Sequence, residues 1–400
     1  MKITDIRCAI IGENPIIRIL TDAGLSGYGP VEHTKPYIKP HLAMLREAVI
    51  GEDPTLVERI MIKLRPRGAF KPWGAAVSAI EIALWDLAGK AAGLPIHKLL
   101  GGKIRDRVRV YNGGVRSPMT SFNPEDYAAS VAAMKAALHG FTIVKQGIGF
   151  HSGMRRAIPN FHLGEHRPTP FHSWIDRGML TERALSHIVE CVAAMKHVLG
   201  EDIGLALDCG PGMTVPDAIR LARALEPFNL LWMEDMITGD YSPHVSADLY
   251  REITRATSTP THTGEQIYLR QNFRDLIETK AVRVIGPDPC DIGGLAELKW
   301  VAEYADLHGV MIAPHGIANG LLGTAALVQV CAALPDNYIA FELPATRPAW
   351  WTDILTGLPP VQNGFITVPD APGLGVEFDI GRAQIHLAEA DKAFFDESLP

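Results

Sequence analysis

Four carboxylates and one histidine recur in the second half of the chain, each at the end of a short apolar run. In chain order they are Asp208, Glu234, Glu265, Asp288 and His315. Carboxylates that converge on one small volume repel one another unless a cation holds them together. Because Asp208, Glu234 and Glu265 form an all-oxygen donor set, they predict a site for a hard cation, with Mg²⁺ preferred and Mn²⁺ second.

The apolar runs that carry these residues have the length and composition of buried strands. They cover residues 203–208, 230–234, 261–265, 283–288 and 309–315, and further strands are predicted at 108–112, 142–146 and 338–343. Helix-like segments of roughly 10 to 15 residues separate them, a pattern typical of a parallel sheet with helical crossovers. In a closed barrel of this kind, polar residues at the C-terminal strand ends face one common site.

The first hundred residues follow a different pattern. A hairpin at the N-terminus, helical spacing over 40–63 and a strongly apolar helix at 78–90 predict an α+β appendage that precedes the barrel. After residue 344 the chain leaves the barrel. The stretch at 369–376 ends in a predicted strand that could return to the appendage.

Composition narrows the classes of function. A chain of 400 residues fits a barrel plus an appendage, and a net charge of −7 gives no support for nucleic-acid binding through a basic surface. No run of 18 apolar residues and no signal-peptide core occurs, so we expect no membrane partner. Five scattered cysteines without CxxC spacing favour reduced thiols in the cytoplasm and argue against a zinc site.

The segment from residue 147 to about residue 179 is too long for a plain crossover. Its histidines are His151, His162, His166 and His172, and its arginines outnumber its two acidic residues. Long loops in compact domains tend to be lids or binding loops, and a positive loop in an acidic protein predicts an anionic ligand. A solvated excursion or an oligomer contact is the alternative.

Taken together, these features resemble the enolase superfamily, in its mandelate racemase branch, over essentially the full length. The likeness rests on helix 78–90 with Gly93-Leu94-Pro95 and the 99–102 stretch after it, on Asp208, on Glu234-Asp235, on Gly264-Glu265, on Pro287-Asp288 before Gly293-Gly294, on Ala313-Pro314-His315 and on Pro372-Gly373-Leu374-Gly375. The resemblance implies a modified (β/α)7β TIM-type barrel, capped by an α+β domain built from both chain ends. We therefore divide the chain into 1–105, 106–345 and 346–400. Relatives commonly assemble, so a homo-oligomer is expected.

The resemblance also implies roles for single residues. Mg²⁺ would lie on Asp208, Glu234 and Glu265, and Asp288 with His315 would form a catalytic dyad. A carboxylate partner fixes the tautomer of an imidazole and raises its basicity, so His315 is the expected base. From the residues themselves, we expect Lys145 to balance the charge of a substrate carboxylate, and Glu342 to hydrogen-bond the reaction intermediate if it is protonated.

Two positions depart from the pattern of the relatives. A Lys-x-Lys pair is common at the end of the second strand, but here the stretch Lys145-Gln146-Gly147 has a glycine in second place. Some acid-sugar dehydratases carry a histidine two residues after the first metal ligand, where this chain has Gly210. The long loop and the phrase at 224–227 look most like the mannonate/gluconate dehydratase group.

Gly147 helps to choose the reaction. Racemisation needs a base on each face of the carbanion, whereas β-elimination needs one base and an acid for the leaving hydroxyl. We therefore predict a hydro-lyase that converts an acid sugar, an aldonate or an aldarate, into a 2-keto-3-deoxy acid, with His315 or a loop residue as the acid. The alternatives are a racemase, epimerase or cycloisomerase with Lys145 or a loop histidine as second base, and a catalytically silent barrel with a binding or structural role.

Candidate substrate-binding residues lie in the loops. Basic and aromatic side chains suit a polyhydroxy anion, because arginine binds carboxylates and aromatic rings cover sugar faces. The predicted set is His33, Arg67 and Trp73 in the appendage and His151 and His162 in the long loop. The particular sugar acid stays open.

Overall fold

The computed structural model describes residues 1–68, 71–112, 118–164, 176–238, 245–316, 320–343 and 350–397, with the backbone but not the side chains of 71–73. Strands are numbered in chain order. They are β1 Ile3–Ile11, β2 Asn14–Thr21, β3 Ser26–Pro30, β4 Arg107–Asn112, β5 Ile143–Gly147, β6 His162–Leu163, β7 Met179–Leu180, β8 Gly204–Asp208, β9 Trp232–Glu234, β10 Thr261–Thr263, β11 Val284–Ile285, β12 Met311–Ile312, β13 Phe341–Leu343, β14 Leu355–Thr356, β15 Phe365–Thr367 and β16 Glu377–Phe378.

Helices are numbered in the same way. They are α1 Ile38–Arg46, α2 Val57–Leu64, α3 Lys71–Ala92, α4 Ile96–Leu99, α5 Pro124–Ala136, α6 Met154–Ala157, α7 Glu182–Leu199, α8 Val215–Ala224, α9 Ala247–Ala256, α10 Arg274–Glu278, α11 Leu295–Leu307, α12 Gly320–Ala332, α13 Trp351–Ile354 and α14 Ile380–Ala383. Side-chain caps begin several of them: Asn123, Thr181, Thr214 and Ser246 each accept a hydrogen bond from a backbone N–H of the first turn. None of the described helices is long and apolar enough to cross a membrane.

The barrel is one sheet of parallel strands in the order β12-β11-β10-β9-β8-β5-β4-β13. A parallel bridge between Ile312 of β12 and Tyr338, just before β13, joins the two ends of this order. Apolar side chains fill the inside, among them Tyr111, Trp232 and Val284. Each of the eight predicted runs overlaps one of these strands, so the predicted α/β barrel is confirmed.

The strands that carry the site residues are shorter than the sequence predicts. β10 ends at Thr263, two residues before Glu265, and β11 ends at Ile285, three before Asp288. The chain turns away at the barrel mouth, where Gly264 has φ +131°, a conformation that L side chains rarely adopt. The candidate residues therefore lie in the turns above the strands, where side chains from neighbouring strands can meet.

The appendage packs β1, β2 and β3 as an antiparallel sheet against α3, with an apolar core of its own. The predicted helical spacing over 40–63 corresponds to two helices, α1 and α2, and Gly51, with φ +80°, lies in the segment between them. The C-terminal tail reaches this unit, where Arg7 and Arg18 donate to backbone carbonyls at Ala393 and Phe394.

The tail returns to the appendage after the 369–376 stretch, and its strand there forms a short two-stranded sheet. β16 follows the 369–376 stretch but pairs antiparallel with β14, not with the appendage sheet. Gly373 and Gly375 have φ of +66° and +76°, which bend the chain before β16. The tail contacts the appendage at several points: Leu374 donates to Asp86 of α3, the ring of Phe378 in β16 lies 4.8 Å from that of Tyr28 in β3, and Asp391 of the 3-10 helix Glu389–Phe395 accepts from the backbone N–H of Ile10.

Helix α3 of the appendage also holds the barrel turn after Asp288. Ser78 Oγ accepts from the N–H of Gly293 at 2.9 Å, and Glu81 accepts from the N–H groups of Leu295 and Ala296 at 2.8 and 3.0 Å. A Cβ on Gly294, whose φ is +108°, would lie 2.0 Å from Glu81 Oε2. The first turn of α11 is therefore capped by a carboxylate from the appendage, and only glycine fits beside it.

Candidate active site

The sheet register brings three predicted site residues, Lys145, Asp208 and Glu234, to one end of the barrel. Gly147 of β5 lies beside Asp208 of β8, and Asp208 lies beside Glu234 of β9. Side chains alternate along a strand, and Ile143, Ala206 and Trp232 point into the barrel. Lys145, Asp208 and Glu234 come two residues after these on the same strands, so they point inwards at the C-terminal mouth.

Lys145 is buried among three carboxylates. Its Nζ lies 2.8 Å from Glu234 Oε1, 3.1 Å from Glu342 Oε1 and 3.9 Å from Asp208 Oδ2. Burial alone would lower the pKa of the ammonium, but the charges of Glu234 and Glu342 outweigh it and hold the pKa well above its usual value. These carboxylates therefore favour the charged form of Lys145 at the inner wall of the site.

His315 lies in the turn after β12 and is paired with Asp288. Its Nδ1 is 2.6 Å from Asp288 Oδ2, while Asp288 Oδ1 accepts from the N–H of Cys290 at 2.7 Å. The other ring nitrogen, Nε2, lies 3.3 Å from Glu265 Oε2 and 3.4 Å from Glu342 Oε2. Burial opposes protonation, but Glu265, Glu342 and Asp288 together raise the pKa of His315 well above its usual value.

Glu342 lies between Lys145 and His315 and is fully buried. Among the described residues, neither of its carboxylate oxygens has a partner in hydrogen-bond geometry, although Lys145 Nζ and His315 Nε2 are close. A buried carboxylate without hydrogen bonds is costly and marks a group held for a ligand or a proton. The geometry thus joins Lys145, Glu342 and His315 in one row across the barrel mouth.

The oxygen donors fit a hard divalent cation. Glu234, Asp235 and Glu265 each offer an oxygen within 4.8 Å of the other two. Asp235 was not among the predicted ligands, and its Oδ1 accepts from Thr263 Oγ1 at 2.5 Å. Asp235 follows the last residue of β9 with φ +51°, so the alternation of the strand does not set its direction. Asp208 lies beside Glu234 in the sheet register but is not a member of this group of three. Carboxylate oxygens without a nitrogen or sulfur donor are the set that Mg²⁺ prefers.

Gly147 and Gly210 border a space that is filled by His151. A Cβ on Gly147 would lie 2.6 Å from His151 Cδ2, and a Cβ on Gly210, at φ +63°, would lie 2.7 Å from the His151 backbone nitrogen. The His151 ring reaches Asp208, with Nδ1 3.0 Å from Oδ1. Burial would raise the pKa of Asp208, but His151 and Lys145 lower it below its usual value.

The other residues predicted to bind substrate have no described contact with the group at the barrel mouth. His162 packs edge-on against Phe150 inside the long loop. His33 is exposed in the loop before α1, and Arg67 is exposed and lines a hollow of the appendage with His41 and Met44. The side chain of Trp73 and the residues His166 and His172 lie outside the described part of the chain. A substrate-binding role for these residues stays a prediction.

Two further groups at the mouth escaped the sequence analysis. His262 of β10 stacks on Trp232 with ring centroids 5.3 Å apart, and its Nδ1 lies 3.5 Å from Glu234 Oε2. Trp232 Nε1 donates to the same oxygen at 3.0 Å. From the appendage, Glu32 brings an oxygen within 4.8 Å of ligand atoms of Asp288 and His315. The basic residues beside Glu32 had drawn attention to its loop, but no local pattern distinguished Glu32 itself.

The chain matches two family models. Residues 126–383 match the family described as enolase C-terminal domain-like, and residues 12–101 match the mandelate racemase / muconate lactonizing enzyme N-terminal domain. The crystal structure of a mandelate racemase/muconate lactonizing enzyme-like protein from Rubrobacter xylanophilus superposes with a TM-score of 0.81 at 32% identity, covering 97% of this chain and 98% of that one.

Two relatives of known name are similar over nearly all of the chain. D-xylonate dehydratase from Haloferax volcanii is 30% identical over 419 residues, which cover 99% of this chain and 91% of the relative. D-galactarolactone cycloisomerase from Agrobacterium fabrum is 29% identical over 377 residues, which cover 91% and 88%.

Proposed function

Because the chain belongs to the enolase superfamily, in its mandelate racemase branch, we propose that it is a hydro-lyase that dehydrates a sugar acid. The observation that carries the proposal is the row Lys145–Glu342–His315, with the buried dyad partner Asp288 behind it. In such a row, Lys145 can receive the substrate carboxylate at one end and His315 can take a proton at the other. The similarity to a D-xylonate dehydratase supports the same reaction class.

Charge decides how the substrate carboxylate is held. Asp208, Glu234 and Glu265 are the residues that would hold Mg²⁺, which supplies Lewis-acid chemistry when bound. The buried ammonium of Lys145 adds a further positive charge on the inner wall. A proton alpha to a carboxylate is very weakly acidic, so preorganised positive charge beside the enediolate oxygens is needed as they develop.

His315 is the proposed base. Asp288 holds Nδ1, so the proton of a neutral imidazole stays there and Nε2 is the acceptor that faces the interior. Its raised pKa depends first on the charge of Glu265. Neutralising that charge lowers the pKa of His315 and makes Nε2 able to take the alpha proton.

The second half of the reaction expels the β-hydroxyl. Loss of the alpha proton forms a carbon–carbon double bond as the β-carbon–oxygen bond breaks, and the hydroxyl leaves as water after it gains one proton. We propose that His151 contacts this hydroxyl, because its ring fills the space beside Gly147 and Gly210 on the far side of the mouth. The resulting enol then tautomerises to a 2-keto-3-deoxy acid.

A library of sugar acids, incubated with the protein and Mg²⁺ and analysed with a keto-acid reagent, tests the proposal. We expect keto acid from at least one substrate, lost both without Mg²⁺ and in the His315→Asn variant. Exchange of the alpha proton in D₂O without any keto acid would contradict dehydration.

That contrary outcome would favour the second candidate, an epimerase, racemase or cycloisomerase. One observation supports it: His151 and His315 lie across the mouth from each other, so each could serve one face of the carbanion. The similarity to a D-galactarolactone cycloisomerase agrees with this alternative. The buried Asp288–His315 pair argues against a catalytically silent barrel.

A further inference from the structure

The indole of Trp232 lies beneath the carboxylate of Glu234 and holds one of its oxygens. The two residues are two apart on β9, so their side chains are on the same side of the strand, with Trp232 deeper in the barrel. Trp232 Nε1 donates to Glu234 Oε2 at 3.0 Å, while Lys145 Nζ donates to Oε1 at 2.8 Å. Both carboxylate oxygens are therefore held, which fixes the orientation of the group.

Two other rings hold the indole itself. His262 of β10 stacks on it with ring centroids 5.3 Å apart, and Tyr111 of β4 packs edge-on against it at 5.4 Å. All three rings are buried inside the barrel. An indole enclosed in this way has little rotamer freedom left, so its N–H is directed at Glu234 before any ligand arrives.

The place of His262 depends on Gly286, the first residue after β11. A Cβ on Gly286 would lie 2.3 Å from His262 Cε1 and 2.4 Å from Nε2. On the same side, His262 Nε2 lies 3.4 Å from the carbonyl oxygen of Ala313, which follows β12. The ring is thus held between the ends of two neighbouring strands, in a position that keeps the indole under Glu234.

These contacts bear on how Glu234 binds a cation. Burial would raise the pKa of Glu234, but the charge of Lys145 outweighs it, so the pKa is lowered and the carboxylate is charged. A carboxylate oxygen carries two lone pairs, so each oxygen of Glu234 can bind a cation while it accepts its bond from Lys145 or Trp232. Partners that orient a ligand in this way typically change metal affinity by about 10- to 100-fold.

We propose that Trp232 is a positioning residue, whose hydrogen bond sets the orientation in which Glu234 meets Mg²⁺, and that His262 keeps the indole in place for it. The inference rests on the proposed function in one respect, that Glu234 is one of the cation ligands. It gives a role to two rings that otherwise only fill the barrel.

Binding of Mg²⁺ and of Mn²⁺, each without any sugar acid, tests this inference by calorimetry. We expect Trp232→Phe to raise the dissociation constants on the order of 10-fold, because the ring stays but its N–H is lost. Trp85→Phe is the matched control, since Trp85 Nε1 of α3 also donates to a buried carboxylate, that of Glu81, at 2.7 Å. It should lower the free energy of unfolding and leave cation affinity unchanged.

Unchanged affinity in Trp232→Phe, an equal loss in Trp85→Phe, or no binding of either cation to the wild-type protein would overturn the inference. Because no sugar acid is present, affinity that weakens only in Trp232→Phe keeps it even if no keto acid is ever formed. Keto acid formed by a protein whose cation affinity does not depend on Trp232 would defeat this inference alone.

A second pair of variants serves if Trp232→Phe does not fold. His262→Ala removes the ring that stacks on the indole and should weaken Mg²⁺ binding, whereas His262→Phe keeps a stacked ring and should bind more tightly than His262→Ala. Equal affinities in these two variants would contradict the role of the stack.

Discussion

His315 and His151 lie on opposite sides of the barrel mouth and are held there in different ways. β8, whose Asp208 contacts His151, is four strands from β12 in either direction around the sheet order. His315 follows directly on its own strand and is fixed by Asp288 from the neighbouring strand end. His151 comes from the long loop after β5 and reaches the mouth only because two glycines leave space for it.

The difference shows two ways to place a catalytic side chain. On the His315 side, strand register sets the positions, and helix α3 reinforces them through Ser78 and Glu81. On the His151 side, the position depends on an absence of side chains at Gly147 and Gly210. Substitutions should therefore act by loss of a partner on one side and by steric displacement on the other.

The largest effect is expected on the His315 side, from Asp288→Asn. The amide cannot stabilise the imidazolium or fix the tautomer, so turnover of the acid found in the screen should fall on the order of 10³-fold. Steady-state kinetics measure this loss. Asp275→Asn, the same change at an exposed position of α10, serves as the control, and a loss of less than tenfold in Asp288→Asn would contradict the dyad.

A smaller effect is expected on the other side, with a distinctive pattern. His151→Ala should lower kcat/KM on the order of 10²-fold, the lower end for a group that transfers a proton. Gly147→Ala should cause a comparable loss, because its Cβ would lie 2.6 Å from His151 Cδ2 and would displace the ring.

The double variant decides whether the two losses have one cause. Gly147→Ala in the His151→Ala background should cost nothing more, since the displaced ring is already gone. Gly381→Ala, whose Cβ would meet only Asp379 Oδ1 at 3.6 Å, is the matched control. Losses that multiply in the double variant would show that His151 does not fill the place of the two glycines.

The smallest effect concerns Glu81 of α3, which holds the first turn of α11 on the His315 side. Burial raises the pKa of Glu81 to about 7, despite the N–H groups of Leu295 and Ala296 and the indole of Trp85. The folded state therefore binds the proton more tightly than the unfolded chain between about pH 4.5 and 7, so stability falls as pH rises through this window. The difference between a pKa of 4.5 and one of about 7 corresponds to on the order of 3 kcal/mol of stability, lost once the pH exceeds the folded-state pKa.

Urea unfolding at pH 5 and pH 8 measures this linkage. The free energy of unfolding of the wild type should fall relative to that of Glu81→Gln between the two pH values. Glu47→Gln removes a carboxylate from the exposed face of the appendage and should show no such change. An equal difference at both pH values would mean that Glu81 is charged throughout.

Much of the barrel could be predicted because its signals are local. Apolar runs with strand length, separated by helical spacing, located all eight strands in order, and polar residues at their ends indicated the mouth. What could not be predicted are contacts between distant segments. The antiparallel pairing of β16 with β14, and the packing of Phe378 in β16 on Tyr28 in β3, are of this kind. The domain boundaries at 105 and 345, the homo-oligomer and the cytoplasmic location stay predictions.

The sequence by itself determined which residues stand at the strand ends, because side-chain alternation and strand direction are properties of short stretches. Only the tertiary structure decided which of those residues meet and what else joins them. Glu32 is 256 residues before Asp288 along the chain yet borders it, and His151 reaches the mouth through space left by Gly147 and Gly210. Such contacts depend on how the ring closes and how the appendage covers it, and no local pattern encodes distances between segments that far apart.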